Sequence, residues 1–402
     1  MIELTEPSFN IYMIVIIITL SVYLFFTSTY NYWKDRGVPY IAPLPLFGNM
    51  KDQVVFARHQ CVVFEEIYHE LRGCRFGGIY LCMSPALLIR DPDLVERILV
   101  KDFHHFHDRG IWINKKDDFE TNLFNMEGEK WHDVRNKIAM SLSVYKLKAI
   151  FDDICKSGDE AIRNLGTAEV DTYDLMTSFA LDVVASHVFG LELRSGSEES
   201  EQFRKMAAKL MLNTRMQVFR ILFLMYAPRV AYIIGIESIP KEAKEYYHAI
   251  VEQVVRFKEK NQEHRNDFIQ GLLGLRNKKM KGKIEKEPSQ NDSVTHKSGS
   301  RDGNMNSLEK KEKIIVTDTF IAGQALVFIT AGSDTVSTTL GFCFYHLSLH
   351  PDIQERVQEE IDAVVQSHDE EWSYQGITQM KYLDQVIQET LRMHPVAPVL
   401  FR

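Results

Sequence analysis

Residues 318–348 read DTFIAGQALVFITAGSDTVSTTLGFCFYHLS, an apolar run interrupted at its centre by an acid and a cluster of hydroxyls. As a helix it would be about 46 Å long at 1.5 Å per residue. It is apolar nearly all round, so it belongs inside a core rather than on a surface. Its centre, AGSDTVSTT, is made of weak helix formers. Conflicts of this kind between local preference and structure gather at functional or strained sites. Gly332 lets another group approach the helix backbone. Hydroxyls at Thr335 and its neighbours can bond backbone carbonyls or water and open the ladder locally. Asp334, buried and uncompensated there, is a candidate to carry and pass a proton. A groove that holds a proton source beside an open space is what oxygen-activating chemistry requires. Two other readings compete. One is a two-span transporter built around a single intramembrane acid. The other is a core helix whose Ser and Thr merely satisfy themselves.

Outward from this stretch, apolar residues three or four apart predict helices over 129–150, 170–190, 201–225, 240–275, 351–366 and 379–393. Two short strands, Gly78 to Met83 and Leu87 to Arg90, flank a Ser-Pro turn. Asp91-Pro92 opens a further helix with a capping side chain and Pro at its first position. There is no internal repeat. The predicted class is mainly α with a small β-sheet.

Residues 1–33 form a predicted membrane anchor. No charge occurs from Pro7 to Trp33, and IYMIVIIITLSVYLFF (Ile11 to Phe26) is almost purely apolar. About 17 helical residues approach the thickness of a bilayer core. Glu3 and Glu6 precede the run and Lys34 and Arg36 follow it, which predicts a body facing the cytosol. A cleaved signal peptide would carry a basic start and a small-residue cleavage site, and this segment has neither. Residues 34–48 follow as a proline-rich hinge, where Pro39, Pro43 and Pro45 stiffen the exit. Residues 49–402 then make the globular body. Within it, 276–313 contains only five apolar residues and is predicted to be a flexible loop.

A net charge of -8 over 402 residues offers no basic surface for nucleic acid. The cysteines, Cys61, Cys74, Cys82, Cys155 and Cys343, are scattered and odd in number. They fit a reducing compartment rather than a disulfide framework. The run FHHFH, Phe103 to His107, places its histidines side by side without a supporting acid and is not read as a metal site.

The chain resembles the cytochrome P-450 family, in its membrane-anchored microsomal form. AGSDT (Ala331 to Thr335) matches the Ala/Gly-Gly-x-Asp/Glu-Thr motif of that family's oxygen-binding helix. WHDVR (Trp131 to Arg135) matches its Trp-x-x-x-Arg, and ETLR (Glu389 to Arg392) its Glu-x-x-Arg. The segments YWKDRGVPYIAPLPLFGNM and NLFNMEGEKW look most like insect detoxification members. The resemblance implies haem b as cofactor, with Trp131, Arg135, Ala331, Gly332, Thr335 and Arg402 around it. Arg135 and Arg402 would clamp the propionates, a task that suits the planar fork of arginine. Asp334 and Thr335 would deliver protons for O–O cleavage. Glu389 and Arg392, one turn apart, would form a buried structural pair. Asp108 to Phe124 would correspond to the loop closing over substrate, and Val218 to Ile236 to a part dipping toward the membrane.

The implied activity is insertion of one atom of O₂ into a lipophilic substrate. Electrons would come from NADPH through NADPH-cytochrome P-450 reductase, possible partners extending to cytochrome b5, at the endoplasmic-reticulum membrane. No nucleotide-binding signature is present in the chain itself. The family's iron is held by a cysteine thiolate in a Phe-x-x-Gly-x-Arg-x-Cys-x-Gly loop. None of the five cysteines has that context. The sequence reading therefore expects a chain that stops before the ligand cysteine. The alternative it carries is a non-catalytic remnant that binds haem or lipophiles weakly.

Overall fold

The computed structural model describes residues 6–402 apart from 112, 115–116, 140–147, 164, 166–168, 194–195, 212–213, 262–266, 275, 277–314 and 369–370. The predicted loop 276–313 lies outside the described residues except for Arg276. The described chain forms two compact units. One comprises Met1–Ile113, Leu212–Ser238 and Ala397–Arg402, and the other Asn114–Met211 and Ile239–Val396.

The first unit starts with helix α1 (Glu6–Thr27). Its apolar side chains from Ile11 to Phe25 are exposed, and nothing else among the described residues covers them. An uncovered apolar surface of that length suits a bilayer rather than water. The exit from α1 is tied down by aromatic residues. Trp33 Nε1 donates to the Ile79 carbonyl at 3.1 Å, and Tyr80 Oη donates to the Tyr30 carbonyl at 2.8 Å. The proline-rich stretch pairs with the sheet through Gly78 N to the Pro39 carbonyl at 2.7 Å and Ile41 N to the Gly78 carbonyl at 3.1 Å.

The sheet is a single antiparallel hairpin, β1 (Phe76–Leu81) and β2 (Ser84–Ile89), with Phe76 opposite Ile89 and Leu81 opposite Ser84. The predicted Ser-Pro turn is corrected. Ser84 and Pro85 are in β2, and the reversal falls on Cys82 and Met83, with Cys82 left-handed at φ 56°. Pro85 is tolerated because a two-stranded sheet has only edges, where a missing N–H strands nothing. Helices α2 (Lys51–Val54) and α3 (Gln60–Glu70) follow the anchor exit. Val63, Phe64 and Ile67 of α3 join Met50, Leu71 and Ile79 in a core against which Tyr226, Val399 and Phe401 pack. Helix α4 (Pro92–Glu96) begins as expected, with Asp91 Oδ1 accepting from Asp93 N and Leu94 N.

The second unit is built around a 32-residue helix. Its elements are α5 (Gly128–Ala139), α6 (Phe151–Arg163), α7 (Thr172–Val184) and α8 (Glu198–Ala208). Helices α9 (Arg215–Tyr226) and α10 (Pro228–Ile233) belong to the first unit. The second unit resumes with α11 (Lys241–Asn261), the central α12 (Asp318–Leu349), α13 (Pro351–Gln366), α14 (Tyr374–Ile377) and α15 (Lys381–Met393). Helix α7 lies along α12, and α11 packs against α12 as well. Tyr247 of α11, Phe203 of α8 and Phe189 form an edge-to-face aromatic cluster with centroids 5.4 and 5.7 Å apart.

Two predicted helices are corrected. The span 201–225 is two helices, because Thr214 starts a new one through a reciprocal capping box with Gln217. Helix α6 was not predicted, and residues 140–147 of the helix predicted over 129–150 lie outside the described residues. The span 240–275 ends at Asn261 and resumes at 268–274. Arg276 is not part of a loose segment. Its guanidinium pairs with Glu259 of α11 and, at 2.7 Å, with Asp318 at the start of α12.

Candidate active site

Helix α12 begins with Thr317 capping Phe320 N at 3.0 Å. From Phe320 to Leu326 every residue is buried. In that apolar half, Gln324 is 0% exposed. A buried amide must find partners, and Gln324 finds two in residues 121–123. Its Oε1 accepts from Leu123 N at 2.8 Å, and its Nε2 donates to the Thr121 carbonyl at 3.2 Å. Beside it, Gly323 lets the chain pass so closely that a Cβ there would lie 2.9 Å from the Asp118 carbonyl oxygen and 3.0 Å from Phe119 Cα. Lys244 of α11 adds an ion pair to Asp117 at 2.5 Å. The later half of the stretch expected to close over substrate is thus fastened to α11 and α12. Gln324→Leu keeps the volume but strands two backbone groups. It is expected to lower stability by about 1–3 kcal/mol, measurable by denaturant titration.

The polar centre follows. Its hydroxyls bond back along the helix: Thr335 Oγ1 to the Ala331 carbonyl at 2.5 Å, Ser337 Oγ to Ser333 at 2.8 Å, and Thr339 Oγ1 to Thr335 at 2.8 Å. The ladder was expected to open here, yet the helix runs unbroken from Asp318 to Leu349. Ser333 and Ser337 are buried, while Ala331, Thr335 and Val336 are exposed. Two faces result, one turned into the unit and one open.

Gly332 and Asp334 do not belong to the open face in the way the sequence suggested. A Cβ at Gly332 would lie 3.0 Å from Val184 Cγ2, so the group whose close approach it permits is a methyl of α7. Asp334 was expected to be uncompensated. Instead its Oδ1 accepts from Tyr173 Oη of α7 at 2.5 Å. Burial, and then the adjacent carboxylate, push the Tyr173 phenol up to about 12. Tyr173 itself is fixed at the start of α7, where Asp171 Oδ1 accepts from its backbone N at 2.8 Å.

The remaining predicted residues are spread over both units. Trp131 of α5 is buried, and Arg135, one turn on, is exposed with no ion pair among the described residues. Glu389 and Arg392 form the expected pair, bidentate with both contacts at 2.7 Å. The expectation of burial is corrected, since the side chains are 56% and 69% exposed. Nothing in the described chain covers that face of α15, so the pair contributes little to stability. Helix α15 is joined to α12 by His394, whose Nε2 lies 2.8 Å from His346 Nε2 and whose ring stacks on Phe342 at 4.0 Å. Arg402 is in the first unit, with its guanidinium carbon 5.9 Å from the Phe103 ring centroid.

Sequence reasoning missed Tyr173 and the Gln324 anchor. Gln324 was detectable as a lone amide in a fully apolar half-helix. Tyr173 had no comparable signal, being 161 residues from the acid it holds.

An apolar N-terminal helix, a mainly helical body with a small sheet and a long core helix with an acid and a threonine at its centre match the fold that the family resemblance implied. The comparisons agree. A family model for cytochrome P450 matches residues 38–402. Cytochrome P450 6a2 of Drosophila melanogaster is 32% identical over 406 residues, covering 98% of this chain and 74% of that protein. Probable cytochrome P450 6a18 of the same organism is 33% identical over 382 residues, covering 92% and 69%. Cytochrome P450 6k1 of Blattella germanica is 31% identical over 396 residues, covering 97% and 73%. The chain belongs to the cytochrome P450 family, and it is a haem monooxygenase by that membership. With that family placement, α12 is a core helix and not a second membrane span.

The residues present fit part of a haem. The exposed strip at Ala331 and Thr335 leaves room against the helix, and the free fork of Arg135 suits a carboxylate. The axial thiolate is another matter. Cys343 is buried within α12 and burial raises its thiol, while the Cys82 thiol is pushed up to about 11 by burial. Burial also raises Cys61 and Cys155. None of the five cysteines sits in a Phe-x-x-Gly-x-Arg-x-Cys-x-Gly loop, the context from which the family's thiolate comes.

Proposed function

We propose that the protein inserts one oxygen atom of O₂ into lipophilic small molecules at the cytosolic face of the endoplasmic-reticulum membrane. Electrons come from NADPH through NADPH-cytochrome P-450 reductase, with cytochrome b5 as a second donor. The observation that carries this reading is the two-faced centre of α12, with Thr335 on the open side and Asp334 one residue away on a hydrogen-bonded side. Bound haem supplies the redox centre at which O₂ is reduced.

The roles proposed for the chain's own residues follow from their chemistry. Arg135 and Arg402 bind propionate carboxylates, and Trp131 backs Arg135 from the buried side of α5. Ala331 keeps the helix slender beside the macrocycle, while Gly332 lets α7 approach from the other side. Thr335 Oγ1 presents a hydroxyl on the open face, and Asp334 holds the proton that replaces the one Thr335 passes on. Glu389 and Arg392 form a structural pair on the surface of α15. Residues 1–33 anchor the protein and 34–48 lead from the anchor to the body at 49–402. The apolar side chains of α9 and α10, Met216, Val230 and Ile233 among them, are exposed and suit contact with lipid.

Isotope labelling tests the reading. The haem-containing enzyme is incubated in microsomes with the reductase, NADPH, a lipophilic hydrocarbon substrate and ¹⁸O₂. The expected product carries a single labelled oxygen. Label arriving from water instead, or no NADPH-dependent product from any of a broad set of lipophiles, would overturn it.

A further inference from the structure

The hydrogen bond between Tyr173 and Asp334 crosses the most closely packed helix pair in the second unit, α7 against α12. Both ends are constrained. Tyr173 is fixed by the Asp171 cap, and Val184, further along α7, sits against Gly332. The carboxylate therefore points toward α7, whereas Thr335, the next residue and about 100° further round the helix, faces outward. While the phenol bond is made, Oδ1 of this acid is held toward α7 and away from the open face.

The phenol has other company. Ser337 and Thr177 are near enough for their hydroxyls to favour its ionised form. Thr177 Oγ1 is buried and forms no hydrogen bond of its own among the described residues. Ser337 Oγ donates to the Ser333 carbonyl at 2.8 Å, which leaves its lone pairs open. If Asp334 turns away, Tyr173 Oη has a hydroxyl to donate to, so release does not strand a buried donor.

We propose that Tyr173 is a positioning residue that latches the Asp334 side chain toward α7, so that proton delivery to the Thr335 face requires this one hydrogen bond to open and exchange to Ser337 or Thr177. The inference rests on the reading of Asp334 as the proton carrier. No atom is transferred between Tyr173 and substrate. The proton moves from Asp334 Oδ to the Thr335 side, and solvent restores it.

Two measurements test this in the haem-containing enzyme. In the first, 3-fluorotyrosine is placed at position 173 alone and its ¹⁹F resonance is titrated. Asp334→Asn is expected to move that titration to lower pH, though still above an ordinary tyrosine because burial remains. An unmoved titration overturns the proposal whatever the enzyme's activity. The second is the solvent deuterium isotope effect on kcat. Tyr173→Phe is expected to reduce it with KM unchanged, and 3-fluorotyrosine, a stronger donor, to increase it. Neither change should persist in an Asp334→Asn background. Effects that persist there, or that run in the same direction for both substitutions, would mark Tyr173 as packing only. Should Tyr173→Phe fail to fold, the fluorinated protein alone still decides the sign. Failure of the ¹⁸O₂ experiment with a shifted ¹⁹F titration would fault the functional reading and leave the contact standing.

Discussion

Asp267→Ala is expected to destabilise the second unit by about 3–5 kcal/mol. Asp267 Oδ2 lies 2.5 Å from Lys258 Nζ, and the two side chains are 2% and 5% exposed. The apolar neighbours in sequence, Val255, Phe268, Ile269 and Leu272, are all buried. Removing the carboxylate leaves an ammonium with no counter-ion in surroundings that cannot solvate it. The same carboxylate also accepts from Gln270 N at 2.9 Å, so it caps the helical segment 268–274. Loss of a cap adds roughly 1 kcal/mol. Phe268 packs at a tilt against Phe328 of α12 with centroids 4.4 Å apart, so loosening this segment loosens the first half of α12. Urea titration of the variant measures the loss. Lys258→Met combined with Asp267→Leu should recover most of it, because an apolar pair of similar volume removes both desolvation costs. A single variant as stable as the parent would show that the pair is not buried in solution.

The contrast with Glu389 and Arg392 separates what the sequence could say from what it could not. Their spacing predicted the pairing, since residues three apart on a helix face the same way. Burial is a property of what covers the face, and no local pattern encodes it. The same division holds elsewhere. The helix at 351–366 was readable at both limits, and the one predicted over 379–393 at its end, before Pro395, though it starts at Lys381. The break before α9 was also written in the chain, as Thr214 and Gln217 at capping-box spacing, but a continuous apolar pattern concealed it. The hairpin reversal was not readable, because its left-handed residue is Cys82, a type with no preference for that conformation.

At the site, the chemistry-bearing types were legible from AGSDT alone. Their directions were not. Gly332 faces Val184 and Asp334 faces Tyr173, and both partners come from a helix about 150 residues earlier in the chain. Helical period fixes the angle between neighbours but not which side of the helix the rest of the fold occupies. That depended on where α7 lies.

Asp334→Asn is therefore expected to be nearly silent in folding and severe in turnover. Asparagine keeps an Oδ1 that accepts the Tyr173 hydrogen bond, so the α7–α12 contact survives and stability should change by less than about 0.5 kcal/mol. It cannot carry the proton. Proton transfer by a positioned acid contributes about 10²–10⁴-fold, and kcat should fall by at least about 10²-fold with KM little changed. Thr335→Val differs in kind. Valine matches threonine in shape, and the hydroxyl it removes is bonded only to the Ala331 carbonyl, one turn back. Folding is again preserved, but the open face loses its hydroxyl. NADPH should still be consumed while a larger share of the reduced oxygen leaves as peroxide. Product, peroxide and NADPH measured together distinguish the two: Asp334→Asn slows all three, and Thr335→Val divides them. If Asp334→Asn turned over at the parent rate, the proton would have to reach Thr335 by another route, and the acid beneath the Tyr173 bond would be a helix contact only.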